Sequence, residues 1–194
     1  MSRKEEIGRH VLTKIRWLHA VSETGSGKAN MAELRKGVGK FPGELPSLFG
    51  MLLEDMPESF LSKSGVPTKE EWACYIALTL FSWHQQGNDV KTELMHTDNP
   101  VSVGNAARQL KNALGDANAD ERMIKKLRSV VSANDVQGFS QHLRCMIKML
   151  ADKKIRMNYA MLAKDIYEWQ FLESRNSVNL RWGQDYYKQS KEEE

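Results

Sequence analysis

Almost every stretch of this chain with a clear hydrophobic rhythm repeats with a period of about 3.6 residues, and no run alternates in the strand manner for more than a few residues. Such a rhythm lines apolar side chains along one stripe of a helix, and stripes of this kind are buried by packing helix on helix. The expected fold class is therefore all-α, a two-lobed helical bundle. Helices are expected over residues 5–21, 31–36, 48–54, 69–86, 103–114, 121–131, 136–152, 159–172 and 178–188. Breaks are expected at Gly25-Ser26-Gly27, in the Gly/Pro-rich stretch from Gly37 to Pro46, at Pro57, from Gly65 to Pro67, at Gly87, at Asn99-Pro100 and from Gly115 to Ala119. The last break divides the chain into an N-terminal helical lobe (1–115) and a C-terminal helical bundle (116–188), followed by an acidic tail (189–194) that ends in Glu192, Glu193 and Glu194.

The longest segment free of Lys, Arg, Asp and Glu runs from Trp72 to Asn88. Its apolar part is well short of the ~20 residues a membrane-spanning helix needs, so it reads as a buried core helix and no membrane partner is expected. The opening MSRKEEIGRH places charges where a signal peptide requires an apolar run. Cys74 and Cys145 stand far apart with no second thiol beside either. A reducing, cytoplasmic setting is expected.

The formal charge is only +3, but the charges are unevenly placed. From Arg122 to Arg156 there are nine basic residues against two acidic ones, Asp135 and Asp152. From Glu44 to Glu58 there are four acidic residues and no basic one. At 100° per residue, Met123, Ile124, Leu127, Val130 and Val131 share an arc of about 120°, while Arg122, Lys125, Lys126 and Arg128 share the complementary arc of about 160°. One face is expected to be core and the other cationic. A merely solvated face usually mixes signs, since i,i+4 Glu to Lys pairs support a helix; a solvated face remains the alternative. On the next helix Arg144 and Lys148 lie beside a core stripe of Val136, Phe139, Leu143, Met146, Ile147 and Leu150. An antiparallel pair joined at Ser132 to Asp135 would let these cations line one groove, neutralising phosphates without reading bases.

Several fragments invite an enzymatic reading. Gly25-Ser26-Gly27-Lys28 resembles the end of a P-loop, but Ser22 and Ala29 occupy the places where that loop needs a glycine and a hydroxyl. A turn between helices is expected there instead. Gly37, Gly39 and Gly43 form no dinucleotide fingerprint in a helical chain. The five histidines, His10, His19, His84, His96 and His142, have no metal-ligand spacing. His142 and Cys145 are close enough on one helix to meet, but no third group or oxyanion donor accompanies them. Asp165 and Glu168, on a helix with Lys164, are expected to be solvated. No cofactor and no metal are expected. Among the aromatic residues, Trp72, Tyr75, Phe81 and Trp83 are expected in the core, and only Tyr186 and Tyr187 beside Lys188 suit stacking on a strand.

Four segments carry a resemblance: LRKGVGKFPGELPSLFGMLLEDMP (Leu34 to Pro57), EEWACYIALTLFSWHQQG (Glu70 to Gly87), HLRCMIKMLADKKIRMNYAMLAKDIYEWQF (His142 to Phe171) and VNLRWGQDYY (Val178 to Tyr187). They resemble the small subunit of type I-E CRISPR Cascade, the CasB family, over most of the chain from Leu34 to Tyr187. The resemblance implies a non-enzymatic, all-α, two-lobed subunit that self-associates as a dimer inside an RNA-guided complex. Its implied partners are other Cascade subunits, the crRNA and the target DNA, including the displaced single strand. A few phosphate contacts suffice there, because R-loop exchange is nearly balanced in energy.

The cations this family would use are matched at Arg35, Lys36, Lys69, Lys125, Lys126, Arg144 and Arg181. For Arg35 and Arg181 an internal or interfacial ion pair is the alternative role. Asn105 stands where many relatives have an arginine, and Arg108, one helical turn away, is the candidate replacement. Two other classes remain: a helical adaptor making only protein contacts, and an enzyme acting on nucleic acid, which would need carboxylates or histidines clustered around a metal.

Overall fold

The computed structural model describes residues 1–188, and the acidic tail expected over 189–194 lies outside the described residues. Its regular structure is α1 (Arg3–Val21), α2 (Gly25–Lys36), α3 (Phe49–Leu53), α4 (Lys69–His84), α5 (Val103–Leu114), α6 (Ala119–Val131), α7 (Val136–Asp152), α8 (Tyr159–Trp169) and α9 (Leu172–Tyr187). No strand occurs among the described residues, and the all-α expectation holds. No described helix is long and apolar enough to cross a membrane.

The charge-free segment becomes α4, the axis of the molecule. Its start is fixed by a capping box: the Thr68 hydroxyl accepts the Glu71 amide at 3.0 Å, and the Glu71 carboxylate accepts the Thr68 amide at 2.7 Å. Beyond this cap α4 has no charge to keep in water, so it is surrounded by α1, α2, α7 and α8. Ile76, Leu78, Leu80 and Phe81 are fully buried, each worth about 1.5–3 kcal/mol relative to exposure. On the other side of the core α5 packs on α6 and α9, and the buried residues from Ile7 to Tyr186 form one continuous cluster drawn from both sides of Gly115.

Two helices, α2 and α9, begin six residues earlier than the periodicity predicts. Gly25-Ser26-Gly27, expected as a break, is the first turn of α2, and the chain reverses instead at Ser22 to Thr24. Thr24 caps the helix by accepting the Gly27 amide at 2.9 Å. Gly27 has no side chain because a Cβ there would lie 1.9 Å from the Val21 carbonyl oxygen. The fragment that resembled a P-loop is thus the opening turn of a helix packed against a tight corner. Similarly, α9 starts at Leu172, which is exposed.

A polar junction ties α4 to α8. The Tyr159 hydroxyl and His84 Nδ1 are 2.8 Å apart, and the Tyr159 amide donates to His96 Nδ1 at 3.2 Å. Burial pushes His84 down to about 4 and also lowers His96 and His10. Because these folded-state values lie below the unfolded ones, their contribution is complete above about pH 6.5 and is lost as pH falls, for His84 down to about 4. His84 alone should remove on the order of 3 kcal/mol over that window. Denaturant melts from pH 7 to 4 should therefore show a steeper acid loss in wild type than in His84→Gln, which keeps a polar partner for Tyr159 without titrating.

Candidate nucleic-acid interface

The two helices expected to carry the basic surface form a hairpin, α6 packing on α7 through the turn at Ser132 to Asp135. Asp135 caps α7 by accepting the Gly138 amide at 2.7 Å. On α6, Met123 and Val130 are buried as the apolar arc predicts, but Ile124, Leu127 and Val131 are only half-buried. They face Trp182 and Tyr186 of α9 across a cavity of about 260 Å³, which remains because α6 rests on α5 and α7 while α9 rests on α5 and α8.

Past Asp120 and Glu121 in its first turn, the opposite face of α6 is cationic, and its members differ in commitment. Arg122 is held by a two-pronged contact with Asp116, at 2.8 and 2.6 Å, which keeps that carboxyl below its usual range. Lys125 and Arg128 are exposed and Lys126 half-buried, and none has an ion pair among the described residues. On α7, Arg144 and Lys148 are exposed and likewise lack a carboxylate partner among the described residues. Arg144 leans to the α4 flank of α7, its guanidinium over the Trp83 ring at 4.7 Å from the centroid. The α6 cations and the α7 cations thus project from the two arms of one hairpin.

The remaining candidates are distributed over the molecule. Arg35 lines a cavity of about 420 Å³ with Lys28, Lys91, Glu23 and Asp89, between α2 and the loop after α4. Lys36 is exposed and paired with Glu33 one turn back. Lys69, at the start of α4, sits over the Phe171 ring at 3.7 Å. Arg108 is half-buried and donates to the Lys188 carbonyl oxygen, while Asn105 caps its own helix, its side chain accepting the Ser102 amide at 3.1 Å. Arg181 bonds Asp165 at 2.8 Å and Glu168 at 2.7 Å, the internal ion-pair role left open above.

That contact corrects one expectation. Asp165 is buried, not solvated, because α8 turns it inward to accept the indole Nε1–H of Trp182 at 2.7 Å as well as Arg181. Burial pushes its carboxyl up against those two bonds. Glu168, although burial opposes it, is held below the usual range by hydrogen bonds from Lys4 and Arg181. Tyr186, one of two residues considered for stacking, is buried with its hydroxyl on Asp120 at 2.7 Å, whereas Tyr187 is exposed. Trp83, expected in the core, is half-buried beneath Arg144.

His142 and Cys145 are both exposed, and burial pushes the Cys74 thiol up to about 12. No group of three or more His, Cys, Asp or Glu able to hold a metal occurs among the described residues.

A family model described as CRISPR-associated protein Cse2 matches residues 30–187. No curated protein matches the chain. Among solved structures, CasB from Thermobifida fusca is similar at 25% identity with a TM-score of 0.76, covering 94% of this chain and 98% of that one. A Cse2-family CRISPR-associated protein from Thermus thermophilus shares the fold, at 22% identity and a TM-score of 0.61, covering 96% of this chain and 99% of that one.

Proposed function

The chain belongs to the CRISPR-associated Cse2 family, and from that premise we propose that it is a non-catalytic small subunit of a type I-E Cascade complex in the cytoplasm, holding nucleic-acid strands by sequence-independent phosphate contacts. Its partners are other Cascade subunits, a second copy of itself, the crRNA and the target DNA with its displaced strand. The observation that carries this reading is the run of cations on α6 that follows Glu121, with no acidic residue among them. Lys125, Lys126 and Arg128 project from α6 without a carboxylate partner among the described residues, and Arg144 and Lys148 extend the charge onto α7. Cations left uncompensated by their own fold are available to a polyanion. Lys36, Arg108, Arg122 and Arg181 are already engaged within the chain and are weaker candidates for strand contact.

A second reading, a helical adaptor making only protein contacts, is favoured by a different surface. Phe49 and Leu53 are exposed at a cavity of about 290 Å³ shared with Leu52, Met56 and Tyr75, within the acidic Glu44 to Glu58 region. Exposed apolar side chains gathered at one cavity suit a protein partner.

Titration of the purified chain with labelled single-stranded DNA, single-stranded RNA and duplex DNA across a salt series separates the two. Strand holding predicts a log–log slope of roughly −0.7 per neutralised phosphate on single strands. Absence of binding to every strand at low salt would overturn it for the isolated chain in favour of the adaptor.

A further inference from the structure

Trp83 lies one residue before the end of α4, where the helix emerges from the core, and unlike Trp72, Tyr75 and Phe81 it is only half-buried. Over its ring sits the guanidinium of Arg144, 4.7 Å from the centroid. The turn at Gly39 comes up beside the same arginine, since a Cβ at Gly39 would lie 4.0 Å from Arg144 Nη1. Arg144 is exposed and has no carboxylate partner among the described residues. It therefore differs from Arg122 and Arg181, whose guanidinium groups are taken up by carboxylates.

A guanidinium is planar, delocalised and weakly hydrated, and it stacks as readily as it forms ion pairs. Contact with the indole holds its inner face and restricts the side chain, leaving an outer face that is flat and positively charged. Nucleobases rest on such planes where strands are unpaired.

We propose that Trp83 and Arg144 form a stacking platform for an unpaired nucleobase, with the base on the outer face of the guanidinium and the indole beneath it. The platform rests on the strand-holding reading and assigns Arg144 a contact with a base where that reading assigns only phosphates. Every base has a π-face, so the contact adds affinity without selecting sequence. It also confines full-strength binding to unpaired strands, because the bases of a duplex are already stacked on each other.

The test is equilibrium binding of the full chain to a single-stranded DNA, an RNA of the same sequence, and a DNA and an RNA of the same length with abasic sites through their centres. Wild type, Arg144→Lys and Trp83→Leu are compared over a salt series. Base-bearing strands should bind wild type about tenfold more tightly than the matching abasic strand. Arg144→Lys, which keeps the charge but loses the plane, should abolish that preference while leaving the salt slope unchanged. Trp83→Leu should do the same if its thermal melt remains cooperative, and Arg144→Lys decides the matter if it does not. Base preference on DNA, on RNA or on both supports the platform and identifies the strand it serves. Salt-dependent binding with no base preference, or a preference that survives in Arg144→Lys, overturns the platform alone. Absence of binding to any strand overturns the platform and the strand-holding reading together.

Discussion

Reversing the charge at Lys125, Lys126, Arg128 and Lys148 together is expected to weaken single-strand binding on the order of several hundred-fold at about 0.1 M salt. The estimate follows from counterion release: each phosphate contact contributes roughly 0.7 to the log–log salt slope, which at that salt is about fivefold in affinity, and four contacts multiply. The loss should be the same for unrelated sequences, because phosphates are identical along a strand. Arg122 is left out of this set because its guanidinium is already taken up by Asp116 and is not free for a phosphate. Arg181→Glu serves as the contrasting variant: it places a third carboxylate beside Asp165 and Glu168, and should lower stability more than it lowers intrinsic strand affinity. Fluorescence anisotropy with two strands of equal length and different sequence, beside thermal melts of each variant, measures both effects.

Gly104→Val is expected to destabilise the protein by about 3 kcal/mol or more, a fall in melting temperature of roughly 10 °C. Gly104 lies in the first turn of α5 where α9 crosses it, and a Cβ there would sit 2.1 Å from the Trp182 carbonyl oxygen and 2.9 Å from its Cα. Those are backbone atoms, so the clash is relieved only by moving one helix off the other. Trp182 cannot follow freely, because its indole is buried and donates to Asp165. The displacement would also open the cavity between α6 and α9. A calorimetric melt checks the size. Gly183, whose Cβ would meet nothing within 4 Å, provides the comparison, and Gly183→Ala should leave stability unchanged or slightly raised.

The contrast between these two glycines shows what periodicity can and cannot convey. The spans of α5 and α7 match their expected limits because each has a full apolar stripe bounded by capping residues, Ser102 and Asp135. By contrast, α2 begins with Gly25-Ser26-Gly27, which has low helix propensity and no apolar side chain; it is held by the Thr24 cap and by the close approach of Gly27 to Val21, neither of which leaves a mark in the apolar rhythm. The early part of α9, before Val178, holds no buried residue, so it too lacks an apolar stripe.

Within the candidate interface, the segregation of charge on α6 was legible because it depends only on angular spacing. Which cations remain available was not, since the partners of Arg181 lie on another helix and that of Arg108 lies far along the chain. Trp83 escaped for the opposite reason: α4 is apolar almost all round, so its sequence holds no signal for the point at which one side reaches the surface.

The claim on which the rest depends is that strands lie along the α6–α7 hairpin, and chemical footprinting of lysines tests it directly. Acetylation rates are measured for the free chain and for the chain saturated with a single strand, with Lys63, exposed on the loop before α4, as the internal reference. The account predicts selective protection of Lys125, Lys126 and Lys148, with Lys63 acetylated at its free rate. Equal reactivity of all four lysines with and without a bound strand, or protection confined to lysines away from the hairpin, would contradict it.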